Sequence, residues 1–154
     1  SNQSEYDLFG FSAGAQFVNR MTLLDSTIHV RNIISASAGW YTLPDTTINF
    51  PYGLKNIHGS QTQRQEQLFR SFSKKHVIIV GSEDNDPNSS DLRHTSEADA
   101  QGSNRYDRAY YFLAEGISIS GQSQIPFSWT LQVVPQVGHS GQGMGSFAIN
   151  MLYP

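Results

Sequence analysis

Gly10-Phe11-Ser12-Ala13-Gly14 stands at a change of periodicity in the sequence. The stretch that leads into it, Tyr6 to Phe11, is short and apolar and predicts a buried strand. From Ala13 onward the apolar residues recur at helical spacing, at Phe17, Val18, Met21 and Leu24. The sequence therefore predicts a strand, a tight turn and a helix in direct succession.

Three later segments also predict buried strands, at residues 31–36, 76–81 and 127–134. The second of these is a continuous β-branched run, which is typical of a strand buried on both faces of a parallel sheet. Helical patterns lie between and after the strands. Because strands that alternate with helices are joined by right-handed crossovers, the sequence predicts an α/β fold, a mostly parallel sheet with flanking helices.

The expected helices carry different signals. Ser60 followed by Gln63 has the spacing of a capping box and opens a polar helix. This helix is expected to bury Leu68, Phe69 and Phe72. A second helix begins near Arg105, and its apolar face is expected to comprise Tyr106, Ala109, Tyr110, Leu113 and Ile117. The last helix is expected at about residues 142–152.

Composition limits the classes of protein to consider. A chain of 154 residues that is 38% hydrophobic can bury the core of one domain. A formal net charge of −3, with no basic run longer than Lys74-Lys75, argues against a nucleic-acid partner. No apolar run approaches the roughly 20 residues that span a bilayer, so no membrane span is expected. The lack of cysteine excludes thiolate nucleophiles and zinc-thiolate sites.

Residues 10–14 fit the pattern G-x-S-x-G, and they lie in the strand-to-helix context that this pattern requires. A serine in such a turn projects its hydroxyl above the sheet, and Gly10 and Gly14 are expected to give the strand and helix room to pack. Ser12 is therefore the predicted nucleophile. The alternative is a tight turn without chemistry, which loses weight if the serine has partners downstream.

A serine hydroxyl is a weak nucleophile and needs a base within hydrogen-bond reach. His139 follows the last predicted strand, where the chain leaves the carboxyl edge of the sheet. The other four histidines begin strands or lie in loops without such a setting, at His29, His58, His76 and His94. His139 is the predicted base.

A carboxylate that orients this base is expected after the preceding strand, where Glu83, Asp84 and Asp86 lie close together. Asp84 is preferred because its distance past the strand end lets it reach the imidazole, and Asp86 is the alternative acid if the loop turns further. Residues 84–88 also fit the start of a calcium loop, but Ser89 stands where that loop needs glycine. We expect no metal and no cofactor.

Three features together carry a resemblance to a known superfamily. They are Gly-Phe-Ser-Ala-Gly after a strand, the sequence Gly-x-x-Asp at residues 81–84 after a later strand, and Gly138-His139 after the last strand. In this order of nucleophile, acid and histidine, the chain resembles the C-terminal half of an α/β-hydrolase. Segments 14–17, 38–41 and 80–87 are most similar to secreted bacterial esterases related to polyhydroxybutyrate depolymerases.

The resemblance implies that residues 1–154 are the C-terminal part of a single α/β-hydrolase domain, that its strands are the fifth to eighth of eight, and that the N-terminal strands lie outside this sequence. It further implies a serine hydrolase that cleaves carboxylic esters through an acyl-enzyme on Ser12, with His139 transferring the proton and Asp84 orienting His139. The alternative is a binding or structural module that keeps the fold without turnover.

The resemblance also sets out partners for this chain. The superfamily holds the oxyanion with the N–H after the nucleophile, here that of Ala13, and a second N–H from a loop after the third strand. This sequence contains no such loop, so we expect little activity from the chain alone. The expected partners are a small ester substrate and either the missing N-terminal half or another copy of the chain. A secreted or periplasmic location is implied by the resemblance alone.

Trp40 and Tyr41 begin a long loop, residues 39–57, that is rich in aromatic residues and turn formers. The loop is expected to lie over the carboxyl edge of the sheet near Ser12. Its two leading aromatic residues are candidate substrate-binding residues that would form an apolar wall. Packing of the loop onto the core is an equally strong alternative.

Overall fold

Strands and helices alternate along the chain in the computed structural model, which describes residues 4–25 and 27–154. The strands are β1 (Tyr6–Phe11), β2 (Val30–Ala36), β3 (His76–Gly81) and β4 (Thr130–Val134). The helices are α1 (Ala13–Leu24), α2 (Gln61–Ser73), α3 (Ser96–Asp99), α4 (Arg105–Gln122) and α5 (Gly141–Leu152). The predicted order of strands and helices is confirmed, and only the short α3 was not anticipated.

The four strands form one parallel sheet in the order β1-β2-β3-β4. Phe11 pairs with Ala36, Ala36 pairs with Ile79, and Gly81 pairs with Val134, so all four strands end at the same edge. The predicted α/β fold class is confirmed. The loops that leave the strands therefore meet at one carboxyl edge, where open α/β sheets bind ligands.

Helices cover both faces of the sheet, and β3 lies between the two cores. This strand is buried along its whole length, and its side chains alternate in direction. Ile78 and Val80 belong to a cluster with residues of α1, α2 and α4 that includes Phe112. Val77 and Ile79 belong to a second cluster, with residues of α5. A continuous β-branched strand is what such two-sided burial requires.

Two aromatic residues that the sequence analysis placed on apolar helix faces, Phe17 of α1 and Phe69 of α2, are exposed. The capping box of α2 is present, with Ser60 Oγ accepting a hydrogen bond from the Gln63 N–H. The buried residues of α2 are Leu68, Ser71 and Phe72. Positions spaced by three and four form this stripe, and Phe69 lies one residue off it. The predicted burial of Phe69 is therefore wrong.

The predicted apolar face of α4 is wrong in part. Ala109 is buried, and Tyr106 and Leu113 pack against the core, but Tyr110 and Ile117 are exposed while Phe112 is buried. The reason lies at Gly116. A Cβ there would come within 3.0 Å of the Phe127 ring. The helix packs closely through its glycine, and Tyr110 and Ile117 are turned outward.

β1 lies at one edge of the sheet and, in the described part of the chain, pairs only with β2. Its residue Phe9 is exposed. At the other edge, β4 begins at Thr130 rather than at Phe127 as predicted. The residues before it pack instead against α2, where the Ser128 N–H donates to the Phe72 carbonyl at 2.8 Å.

Candidate active site

Ser12 occupies the turn between β1 and α1 with a left-handed backbone, φ 54° and ψ −115°. Its N–H donates a hydrogen bond of 2.9 Å to the Ala36 carbonyl at the end of β2. A positive φ is strained in a residue with a Cβ and persists only where the surroundings hold it. The neighbouring strand therefore fixes the serine in a conformation that the isolated peptide would avoid.

The two glycines that flank Ser12 behave differently. A Cβ on Gly10 would lie 2.3 Å from the Gly14 carbonyl oxygen and 2.7 Å from a methyl group of Val18. Gly10 is thus required for α1 to pack onto β1. A Cβ on Gly14 would meet no described atom within 4 Å. The packing role expected for Gly14 is wrong for the described part of the chain, because helix α1 turns this position away from the sheet.

His139 lies in the loop after β4, and its Nε2 is 3.1 Å from Ser12 Oγ. The Phe11 ring packs against the imidazole, with the ring centroids 4.7 Å apart. The loop comes very close to the end of β3, since a Cβ on Gly81 would lie 2.0 Å from the Val137 carbonyl oxygen. Glycine at this position is what lets the loop bring His139 over the sheet edge.

Asp84 is buried in the loop after β3, and its Oδ2 is 2.9 Å from His139 Nδ1. Its N–H donates to the Gly81 carbonyl in a tight turn at the strand end. Asp86 is exposed, and its Oδ1 accepts a hydrogen bond of 2.8 Å from the Asn88 N–H. The structure thus brings Asp84, and not the alternative acid Asp86, to the histidine.

Arg105, at the start of α4, is a buried residue of the site that sequence reasoning missed. Its Nη1 donates to Asp84 Oδ1 at 3.4 Å, and its Nη2 lies 2.9 Å from Asp91 Oδ1. The second oxygen of Asp91 is 3.8 Å from His139 Nε2. Hydrogen bonds from Ser89 and then from Arg105 lower the pKa of Asp91 to about 2. Arg105 therefore joins two carboxylates that lie on either side of the imidazole.

This arrangement can move a proton away from the serine hydroxyl. With a proton on Nδ1, His139 donates to Asp84 and leaves Nε2 free to accept from Ser12 Oγ. The N–H of Ala13 belongs to the first residue of α1 and has no acceptor within the helix. It lies at the positive end of the helix dipole, where a developing negative charge is stabilised.

Comparison with known proteins agrees with this geometry. The chain superposes on poly(aspartic acid) hydrolase-1 from Sphingomonas sp. KT-1 with a TM-score of 0.92 and 34% identity, over 100% of this chain and 57% of that one. It superposes on LpqC, the poly(3-hydroxybutyrate) depolymerase from Bordetella parapertussis, with a TM-score of 0.89 and 33% identity, over 96% of this chain and 48% of that one. This chain has the α/β-hydrolase fold. No family model and no curated protein matches it.

The resemblance read from the sequence is thereby confirmed, and the chain spans about half the length of the two structures that it matches. The comparison covers the four strands and the helices between them.

The two aromatic residues expected near Ser12, Trp40 and Tyr41, are both buried. Tyr41 is fully buried and stacks on Phe112 with the centroids 4.4 Å apart, so its ring belongs to the core rather than to a substrate surface. Trp40 is 7% exposed and packs against Tyr52. Little of either ring is therefore exposed to a substrate.

Two further observations bear on the class of protein. Among residues 4–25 and 27–154, no helix is long and apolar enough to cross a membrane. Within the same residues, no group of three or more histidine or acidic side chains is arranged to hold a metal ion.

Proposed function

We propose that the intact protein is a serine hydrolase that cleaves carboxylic esters through an acyl-enzyme formed on Ser12. One observation carries the proposal: hydrogen bonds connect the Ser12 hydroxyl to His139 and His139 to the buried Asp84, at 3.1 Å and 2.9 Å. A serine hydroxyl is activated by this arrangement of base and orienting carboxylate. The strained backbone at Ser12 supports the same role, because such strain is concentrated at functional sites.

In the proposed reaction Ser12 Oγ attacks the ester carbonyl carbon while His139 Nε2 takes the hydroxyl proton. Asp84 accepts a hydrogen bond from Nδ1–H throughout and stabilises the imidazolium. The Ala13 N–H donates to the oxyanion of the tetrahedral intermediate. The bond to the alcohol then breaks as His139 returns the proton to the leaving oxygen. Water, activated by the same histidine, releases the acid from Ser12.

Full turnover is expected only of the intact protein, because a second oxyanion donor is needed to stabilise the tetrahedral intermediate. Removing one such donor lowers turnover by about 10²–10³-fold in serine hydrolases. We infer that a strand of the remaining half, or of another copy, pairs with the free edge of β1 and brings this donor. Amide exchange of the 154-residue chain alone tests this inference. A monomer in which residues 7–11 are as protected as residues 77–80 would overturn it.

The bond that is cleaved needs its own test, because the two similar structures are named for different polymers. Poly(3-hydroxybutyrate) is a polyester, whereas poly(aspartic acid) is linked by amides. We favour esters, since an alkoxide leaves more readily than an amine. Turnover of matched ester and amide substrates decides between them. A polymer cannot enter the cell intact. If the substrate is a polymer, an exported enzyme is therefore favoured.

Covalent labelling tests the proposal directly. A fluorophosphonate probe should label the intact protein at Ser12, and Ser12→Ala should abolish the label. Ser118→Ala, an exposed serine on α4, is the matched control and should label like the unaltered protein. A well-folded intact protein that takes no label would overturn the hydrolase proposal and support a binding module that keeps the fold.

A further inference from the structure

Two arginines lie over one tryptophan ring close to the site. The guanidinium carbons of Arg20 and Arg93 are 5.1 Å and 5.3 Å from the centroid of the Trp40 ring. Trp40 is held from behind by Tyr52, whose ring centroid is 4.7 Å away. Tyr52 OH is itself fixed by a hydrogen bond of 2.7 Å with Thr95 Oγ1. The two positive charges therefore lie against a rigid aromatic cluster. We call Arg20 and Arg93 the arginine pair.

The arginine pair lacks a counter-charge. Neither arginine forms an ion pair within the described ranges, 4–25 and 27–154, whereas Arg31, Arg70, Arg105 and Arg108 all do. Burial lowers the pKa of Arg20, and the nearby positive charge of Arg93 lowers it further. The two guanidinium groups therefore repel each other. Stacking on an indole stabilises each cation but does not neutralise it. An anion that binds both guanidinium groups would neutralise them.

The position of the arginine pair relative to Ser12 follows from two routes along the chain. Arg93 comes two residues after Asp91, whose carboxylate is 3.8 Å from His139 Nε2. Arg20 lies eight residues along α1 from Ser12. At 1.5 Å per helical residue this separates their backbones by about 12 Å. The arginine pair is thus close enough for one extended substrate to reach both it and the nucleophile.

We propose that Arg20 and Arg93, which both pack on Trp40, form a subsite for a carboxylate of the substrate that lies remote from the ester bond that is cleaved. This inference rests on the proposed hydrolase function and names its substrate class: esters that carry a remote negative charge. Arginine suits the role because its planar fork matches a carboxylate.

Asp91 sharpens the proposal, because its carboxylate is 59% exposed and lies beside His139. A substrate carboxylate next to the ester bond would come close to this negative charge and be repelled. A carboxylate at the far end of the substrate would avoid Asp91 and reach the arginine pair. The subsite should therefore discriminate by the position of the charge and not only by its sign.

Three para-nitrophenyl esters test the subsite in the intact protein: the monoester of sebacic acid, the same ester with its free carboxylate methylated, and the monoester of succinic acid. The free sebacate ester should have a kcat/KM about tenfold above its methylated form, mainly through a lower KM. This ratio should fall towards one as sodium chloride rises from about 0.02 M to about 0.5 M. The succinate ester should show no comparable advantage over its own methyl ester.

Variants locate the effect. Arg20→Gln and Arg93→Gln should each reduce the ratio of the two sebacate esters, and the double variant should bring it close to one. Arg93→Lys should keep part of the ratio, because it keeps the charge without the fork. Arg70→Gln, an exposed arginine on α2, is the matched control and should leave the ratio unchanged. A ratio near one in the unaltered protein, or one that survives the double variant, would overturn the subsite.

Binding separates the subsite from the chemistry. In Ser12→Ala, calorimetric titration with sebacate dianion should give a dissociation constant that the double arginine variant weakens about tenfold. If no ester is turned over but this difference is present, the hydrolase proposal fails and the subsite stands. If esters are hydrolysed and sebacate binds both proteins equally, the subsite fails and the hydrolase stands.

Discussion

Two serine–histidine hydrogen bonds occur among the described residues, and they differ in almost everything else. Ser12 and His139 meet above the carboxyl edge, where the imidazole is partly exposed and its far nitrogen is bound to Asp84. Ser35 and His76 meet inside the core. The Nδ1 of His76 is buried without a partner in the described part of the chain.

Their surroundings decide what each pair can do. The rings of Phe112 and Trp129 pack around His76, and burial lowers its pKa to about 3. With a pKa of about 3, His76 stays neutral near neutral pH. It therefore cannot take a proton from a serine and return it. The comparison teaches that the residue types are not sufficient. A carboxylate and access to solvent distinguish the pair suited to proton transfer from the pair that only packs.

The largest effect is expected from removing the base of the edge pair. His139→Ala should lower kcat for esters in the intact protein by about 10⁶-fold, because loss of a base that acts together with the nucleophile costs nearly the whole contribution of the site. His58→Ala and His94→Ala should leave kcat nearly unchanged. Steady-state kinetics on one ester compares all three, and similar losses in each would contradict the assignment.

Next in size is the loss of the carboxylate that distinguishes the two pairs. Asp84→Asn should reduce kcat by about 10⁴-fold, since an asparagine favours the wrong imidazole tautomer. Asp86→Asn removes an exposed carboxylate of the same loop and should have little effect. Kinetics of the two variants at one pH decides between the acids, and the reverse ranking would assign the role to Asp86.

How far the sequence predicts this site depends on what each residue needs from the rest of the chain. Ser12, Asp84 and His139 were predictable because each follows a strand, and parallel strands bring their ends to one edge. Arg105 was not, because apolar periodicity gives a buried arginine no weight. Its burial depends on carboxylates as far as 21 residues away in the sequence, and no local pattern encodes that distance.

The packing role of Gly81 and the buried residues of α4 could not be fully predicted from the sequence either. Both depend on a close approach between elements that are distant along the chain, Gly81 to the loop at Val137 and Gly116 to the Phe127 ring. Helical spacing indicates that a helix has an apolar face. It does not indicate which residues a neighbouring aromatic ring will select.

A smaller effect should follow from the arginine that holds the edge pair's acid. Arg105→Met leaves the buried carboxylate of Asp84 without its guanidinium, so the free energy of unfolding should fall by about 3–5 kcal/mol. Urea denaturation of the intact protein measures this. Arg70→Met removes an exposed ion pair with Glu66 and should change stability far less. Equal effects would mean that Arg105 does not support the site.

The core pair should appear as a pH dependence of stability. The pKa of His76 is about 3 when folded, below the value of about 6.5 that it has when unfolded. Between these values the unfolded chain binds a proton that the folded chain does not, so stability is complete above about pH 6.5 and falls as the pH falls. Lowering the pH from 6.5 to 5 should cost about 2 kcal/mol.

Urea denaturation at several pH values checks this dependence. His76→Gln, which keeps an amide for Ser35, should remove most of the slope, whereas the exposed His58→Gln should not. An unchanged slope in His76→Gln would mean that other groups produce the acid sensitivity.

The left-handed turn at Ser12 has a consequence for how this molecule can change. Glycine would adopt φ 54° and ψ −115° without strain, so Ser12→Gly should unfold at a higher temperature than Ser12→Ala, by the equivalent of about 1 kcal/mol. Equal melting temperatures in calorimetry would show that the turn stores no strain. At this one residue, stability and reactivity oppose each other. Substitution by glycine would stabilise the fold, whereas the proposed reaction requires the serine hydroxyl.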